Sequence, residues 1–159
     1  MSLPKVTDIK ALPGHRLRLR FRGLAKAREV DLTGLIARHA LMRPLAGEAL
    51  FRKARIIDGG AAVGWTEALD LGAATLLRMA QEQAPFGTKD FISWQVRLGL
   101  SNRETADALG VSLATIKNIR AGGPISNAIA IACRAMESDQ AVIAAHFRPR
   151  KAGRPAKAA

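Results

Sequence analysis

Apolar and charged residues alternate without a break along Arg16-Leu17-Arg18-Leu19-Arg20-Phe21-Arg22. That is the period-two pattern of a half-buried strand. It turns Leu17, Leu19 and Phe21 toward a core and the arginines toward water. Gly23-Leu24 can reverse the chain. A return strand over about 25–32 then pairs Leu17 with Val30, Arg18 with Glu29 and Arg16 with Asp31. Opposite charges across such a ladder contribute about 0.2–1 kcal/mol each. The arginines read first as a solvated strand face partly neutralised by Glu29 and Asp31; a phosphate-contacting stripe is the competing reading. Short helices are predicted over 33–38 and 47–53. Two further strands are predicted over 55–58 and 61–65, with Asp58-Gly59-Gly60 as the hairpin turn. A helix is predicted over 70–83, where Leu71, Leu76, Leu77 and Ala80 fall near helical spacing.

The pattern changes at Ala84-Pro85-Phe86-Gly87. Pro85 disfavours helix at the residue before it, and Gly87 permits a sharp turn. Beyond this break the apolar spacing is helical almost throughout. The predicted fold class is therefore α+β: a small α+β domain with antiparallel hairpins over 1–84, an all-α bundle over 85–147, and a disordered basic tail over 148–159.

Composition narrows the function. The chain has 159 residues, with Lys+Arg 25 against Asp+Glu 13 and a formal net charge of +12. Such a balance points to anionic partners rather than to a fold. Residues 148–159 carry Arg148, Arg150, Lys151, Arg154 and Lys157 and no acid. No apolar run is long enough for a membrane-spanning helix, and the N-terminus shows no apolar leader with a cleavage site. A cytoplasmic protein with no membrane partner is expected. The single cysteine, Cys133, excludes an internal disulfide and zinc sites built on several cysteines.

The most informative stretch is Phe91–Gly122, FISWQVRLGLSNRETADALGVSLATIKNIRAG. Phe91, Trp94 and Leu98 share one face of a helix over about 90–98, which Gly99 ends. Ser101-Asn102-Arg103-Glu104 is a capping box that opens a helix over 102–109. Gly110 can end that helix in the left-handed region. Val111 plugs the turn, and Ser112 caps a helix over about 113–121 with Ile116 and Ile119 inward. Helices over 126–136 and 139–146 follow, where Met136 and Ile143 read as core before dimer contacts.

These residues resemble the helix-turn-helix of phage-repressor-like regulators, the lambda-repressor or XRE type, over roughly 88–148. With Asn102 as the first position of the twenty-residue unit, Ala106 stands at the fifth, Gly110 at the ninth and Ile116 at the fifteenth. The resemblance implies that the helix over 113–121 enters the major groove. Its outward positions include Ser112, Leu113, Ala114, Lys117 and Asn118. Asn118 suits a bidentate pair with adenine, Leu113 and Ala114 suit thymine methyls, and Lys117 and Arg120 suit phosphate or guanine. Arg103 matches a position that touches the DNA backbone. Arg148, Arg150, Lys151 and Arg154 add phosphate contacts. Gly153-Arg154-Pro155 looks like the core of an AT-hook, although Ala152 stands where a basic residue precedes the glycine; a generic basic arm is the favoured reading.

Residues 5–80, approximately, resemble a small bacterial domain-of-unknown-function family. The match rests on Val6-Thr7-Asp8-Ile9, Leu17 to Phe21, Val30-Asp31-Leu32, Pro44-Leu45, Leu50-Phe51, Trp65 and Asp70-Leu71. That family has Trp-Pro-Asn-Gly where this chain has Trp65-Thr66-Glu67-Ala68. No catalytic constellation is visible: His15, His39 and His146 lack partners at ligand spacing, and neither a Walker A nor a G-x-S-x-G motif occurs. The expectation is a DNA-binding transcriptional regulator, with no enzyme activity, metal or cofactor. It would bind double-stranded DNA as a homodimer, and its N-terminal domain would sense, oligomerise or hold a protein partner. The alternative is an antitoxin-like autorepressor whose N-terminal domain binds a partner protein.

Overall fold

In the computed structural model, which describes residues 2–150, the chain divides into two compact units, Met1–Ala84 and Pro85–Ala159. Together they make an α+β protein.

The first unit begins with strands β1 (Val6–Leu12), β2 (Arg16–Phe21) and β3 (Arg28–Asp31), paired antiparallel in that order. Along β2 exposed and buried residues alternate at every position. Its register with β3 sets Arg16 against Asp31, Leu17 against Val30 and Arg18 against Glu29, as the alternation predicts. Glu29 accepts from Arg18 at 2.7 Å and from Arg16 at 3.5 Å. Arg18 in particular holds the Glu29 carboxyl below its ordinary range. The Asp31 carboxylate accepts from the Thr33 amide at 2.8 Å instead. Two of the arginines on this face are thus balanced by an acid of the same sheet. The strand β1 escapes a period-two reading because Thr7 and Asp8 are both exposed, at a bulge between Val6 and Asp8.

Helices α1 (Thr33–Arg38) and α2 (Glu48–Phe51) flank a 3-10 turn, Ala40–Ala46. Strands β4 (Arg55–Ile57), β5 (Ala62–Thr66) and β6 (Leu69–Gly72) form a second antiparallel sheet, and α3 (Ala73–Gln83) follows. The helix predicted over 70–83 is therefore corrected at its start. Leu69 and Leu71 are buried between exposed Asp70 and Gly72, and the helix begins only after Gly72. Leu17, Leu19, Val30, Leu45, Phe51, Trp65 and Leu76 form the core. The Trp65 indole N–H donates to the Phe51 carbonyl at 2.9 Å.

The second unit is helical: α4 (Thr88–Arg97), α5 (Asn102–Leu109), α6 (Leu113–Arg120), α7 (Asn127–Ser138) and α8 (Gln140–His146). Phe91, Trp94, Ile116, Ile119, Cys133 and Met136 are buried together, and Ile143 packs against them. Burial pushes the Cys133 thiol up to about 12, so it is a neutral core residue at physiological pH. Among the described residues no helix is long and apolar enough to cross a membrane, and no group of His, Cys, Asp and Glu could hold a metal ion.

Candidate nucleic-acid interface

The site is built on α5, α6 and the turn between them. Both ends of α5 and the start of α6 are set by local chemistry. Ser101 accepts from the Glu104 amide at 3.2 Å, and Glu104 accepts from the Ser101 amide at 2.8 Å. That reciprocal pair satisfies two free donors of the helix start and holds the Glu104 carboxyl below its usual range. Gly110 closes α5 at φ 67, a region costly for a residue with a Cβ. The Val111 amide reaches back to the Ala106 carbonyl at 3.0 Å, and the Gly110 amide to Asp107 at 3.2 Å. Together they form a Schellman closure. Ser112 then caps α6, accepting from the Thr115 amide at 3.1 Å. Ser101→Ala is expected to cost about 1 kcal/mol, read as a lower denaturant midpoint at unchanged slope.

Packing fixes how the two helices cross. Ile116 is fully buried, Ile119 is 1% exposed and the small Ala106 is 5% exposed, so α6 lies close against α5. This leaves Ala114, Lys117, Asn118 and Ala121 exposed at spacings of three and four residues, one face of α6. Asn118 also approaches the following turn: a Cβ on Gly123 would stand 2.6 Å from the Asn118 Nδ2. A glycine there makes room for the Asn118 side chain. Arg103 lies exposed in the first turn of α5. Neither Arg103 nor Lys117 has an acidic partner among the described residues.

The remaining predicted residues are placed differently. The Ser112 hydroxyl is engaged in its cap and with the Thr115 hydroxyl at 2.9 Å. Leu113 is half-buried. Arg120 is exposed, and it donates to the Gln95 side-chain oxygen at 2.6 Å. Arg148 donates to the carbonyls of Ala145 and Phe147, at 3.0 and 2.7 Å, and so caps the end of α8. Arg150 folds back onto α5 and makes a two-pronged pair with Asp107, at 2.6 and 2.8 Å. That pair holds the Asp107 carboxyl below its ordinary range. Asp107 therefore stays charged, and Arg150 engaged, until pH falls through that lowered value. Lys151 and Arg154, with the AT-hook-like 153–155, lie outside the described residues.

Sequence reasoning missed Gln95. It is 3% exposed on the core side of α4, and its amide bonds to Asn102, Thr105 and Arg120. A signal was present: with Phe91, Trp94 and Leu98 it completes an apolar helical stripe, and a polar residue in such a stripe must find buried partners.

No family model and no curated protein matches the chain. The chain is similar to the crystal structure of a candidate DNA-binding protein from Nitrosomonas europaea, with 27% identity over 86% of this chain and 88% of that one, at a TM-score of 0.48.

Proposed function

We propose that the chain is a DNA-binding transcriptional regulator, and not an enzyme, whose α5 and α6 act as a helix-turn-helix with α6 in the major groove. The observation that carries this reading is the exposed face of α6. Ala114 and Ala121 are small enough for close approach to base edges. Between them stand Lys117 and Asn118, one cation and one side chain able to both donate and accept. Arg103, at the α5 N-terminus, suits a backbone phosphate beside the groove.

One such face supplies few base contacts, which favours a homodimer on two half-sites about one helical turn apart. In this reading the first unit is the sensing or oligomerising module.

Selection from a random duplex pool at about physiological salt tests the proposal. An enriched pseudo-palindrome is expected. Salt-sensitive binding with no enriched sequence would overturn it, since phosphate contacts alone carry no sequence information. On the selected duplex, Asn118→Ala is expected to weaken binding by about 1–3 kcal/mol and relax preference at one base pair. An equal loss on every sequence would make Asn118 a phosphate contact.

A further inference from the structure

We infer that Gln95 is the residue that positions α6 for reading DNA, and that Arg120 acts through it rather than as a DNA contact. The inference rests on the reading of α6 as the recognition helix, and concerns what sets that helix's angle.

Gln95 stands outside the two-helix unit, near the end of α4, yet its one amide touches both helices. Its Nε2 donates to the Asn102 Oδ1 and the Thr105 Oγ1, both at 2.9 Å, in the first turn of α5. Its Oε1 accepts from Arg120 Nη1 at 2.6 Å, at the last residue of α6. Thr105 in turn donates to the Ser101 carbonyl at 2.8 Å, so the network runs into the α5 cap. Both amide hydrogens and the carbonyl oxygen of Gln95 are used, in a site almost closed to water. A buried amide so fully satisfied has one low-energy arrangement, because any other leaves donors without acceptors.

The bond to Arg120 is charge-assisted, and stronger than one between neutral groups. It holds the end of α6 opposite the Ser112 cap. Thr88 adds a second tie there, donating to the Ile119 carbonyl at 3.1 Å. An eight-residue helix is about 12 Å long. A tilt of about 5° about its capped end moves the other end by about 1 Å, enough to spoil a bidentate base contact. The exposed guanidinium that sequence assigns to phosphate or guanine is thus drawn toward the bundle by the nearly buried Gln95 acceptor.

The test uses the full chain and four variants: Gln95→Leu, Arg120→Met, the two together, and Gln95→Glu. On a duplex selected by the unaltered chain, each of the first two is expected to lower the specific-to-nonspecific affinity ratio about tenfold. The double variant should be no worse than the poorer single, and the salt slope should hardly change. Gln95→Glu keeps an acceptor for Arg120, Asn102 can flip to donate, and the Thr105 hydroxyl can turn to donate to the carboxylate at the loss of its bond to the Ser101 carbonyl; discrimination better than in Gln95→Leu is expected. A slope reduced by about 0.9 in Arg120→Met, with losses that add in the double variant, would overturn the inference by making Arg120 a phosphate contact.

Amide NMR of the free chain supplies an arm that needs no DNA and reports whether each variant folds. Gln95→Leu and Arg120→Met should shift the same α6 amides. If Arg120→Met leaves the Gln95 side-chain amide unmoved, the inference fails whatever the DNA result. If the unaltered chain selects no sequence, the functional reading fails, and the NMR arm still decides whether Gln95 sets α6.

Discussion

Ile116→Ala is expected to destabilise the helical unit by about 2–5 kcal/mol, the range for deleting most of a buried aliphatic side chain. Ile116 is fully buried and lies in the same cluster as Ala106 and Ile119. Small domains are stable by only about 5–15 kcal/mol, so the loss is a large fraction of the whole. The chain has two tryptophans, and they report separately: Trp94 is in this core and Trp65 in the other. A denaturant titration followed by fluorescence in a Trp65→Phe background isolates the helical unit. Ile116→Val, which removes one methylene, should cost about 0.5–1.5 kcal/mol. A loss below about 1 kcal/mol for alanine would mean that the crossing of α5 and α6 does not depend on this wedge. DNA affinity should fall further than the unfolded fraction explains, because the two helices lose their fixed angle.

Features settled by local chemistry were legible in the sequence. The alternation from Arg16 to Phe21 has only one register with the 28–31 strand that buries Val30 opposite Leu17, and that register occurs. The Ser101–Glu104 box and Gly110 bound α5 at the expected residues because caps act within one turn. Features settled by distant partners were not legible. The strand at Leu69–Gly72 carries too few residues to show its own period, and hydrogen bonding to β5 decides it. Arg120 and Arg150 look in sequence like any exposed cation. Their partners, Gln95 and Asp107, lie 25 and 43 residues away. Spacing marks Gln95 as a residue in need of buried partners, but neither spacing nor charge pattern says which residues they are. Of the described cations assigned to DNA, Arg120, Arg148 and Arg150 thus use hydrogen-bond donors within the bundle, while Arg103 and Lys117 do not.

The second large effect is expected at Trp65→Ala, and it separates the roles of the two units. Trp65 is 2% exposed, stacks near Phe51 with ring centroids 6.1 Å apart, and donates to the Phe51 carbonyl. Truncating a buried tryptophan costs about 3–5 kcal/mol; the Phe51 carbonyl loses the indole but keeps the Ala54 amide at 3.3 Å. For a small domain, stable by about 5–15 kcal/mol, that is a large fraction of the whole, and the first unit is expected to melt well before the second. Every residue of its core lies between Val6 and Ala80, and every residue of the helical core between Phe91 and Met136. Each core is complete within its own unit, so the Trp94 transition should keep its midpoint while the first unit melts. Binding to a single half-site should survive as well. Loss of cooperative binding to the paired site, with half-site affinity intact, is the result expected if the first unit holds two copies together. Unchanged cooperativity would move the dimer contact to the helical unit. Joint melting of both units would sink the idea that the second reads DNA as an independent module.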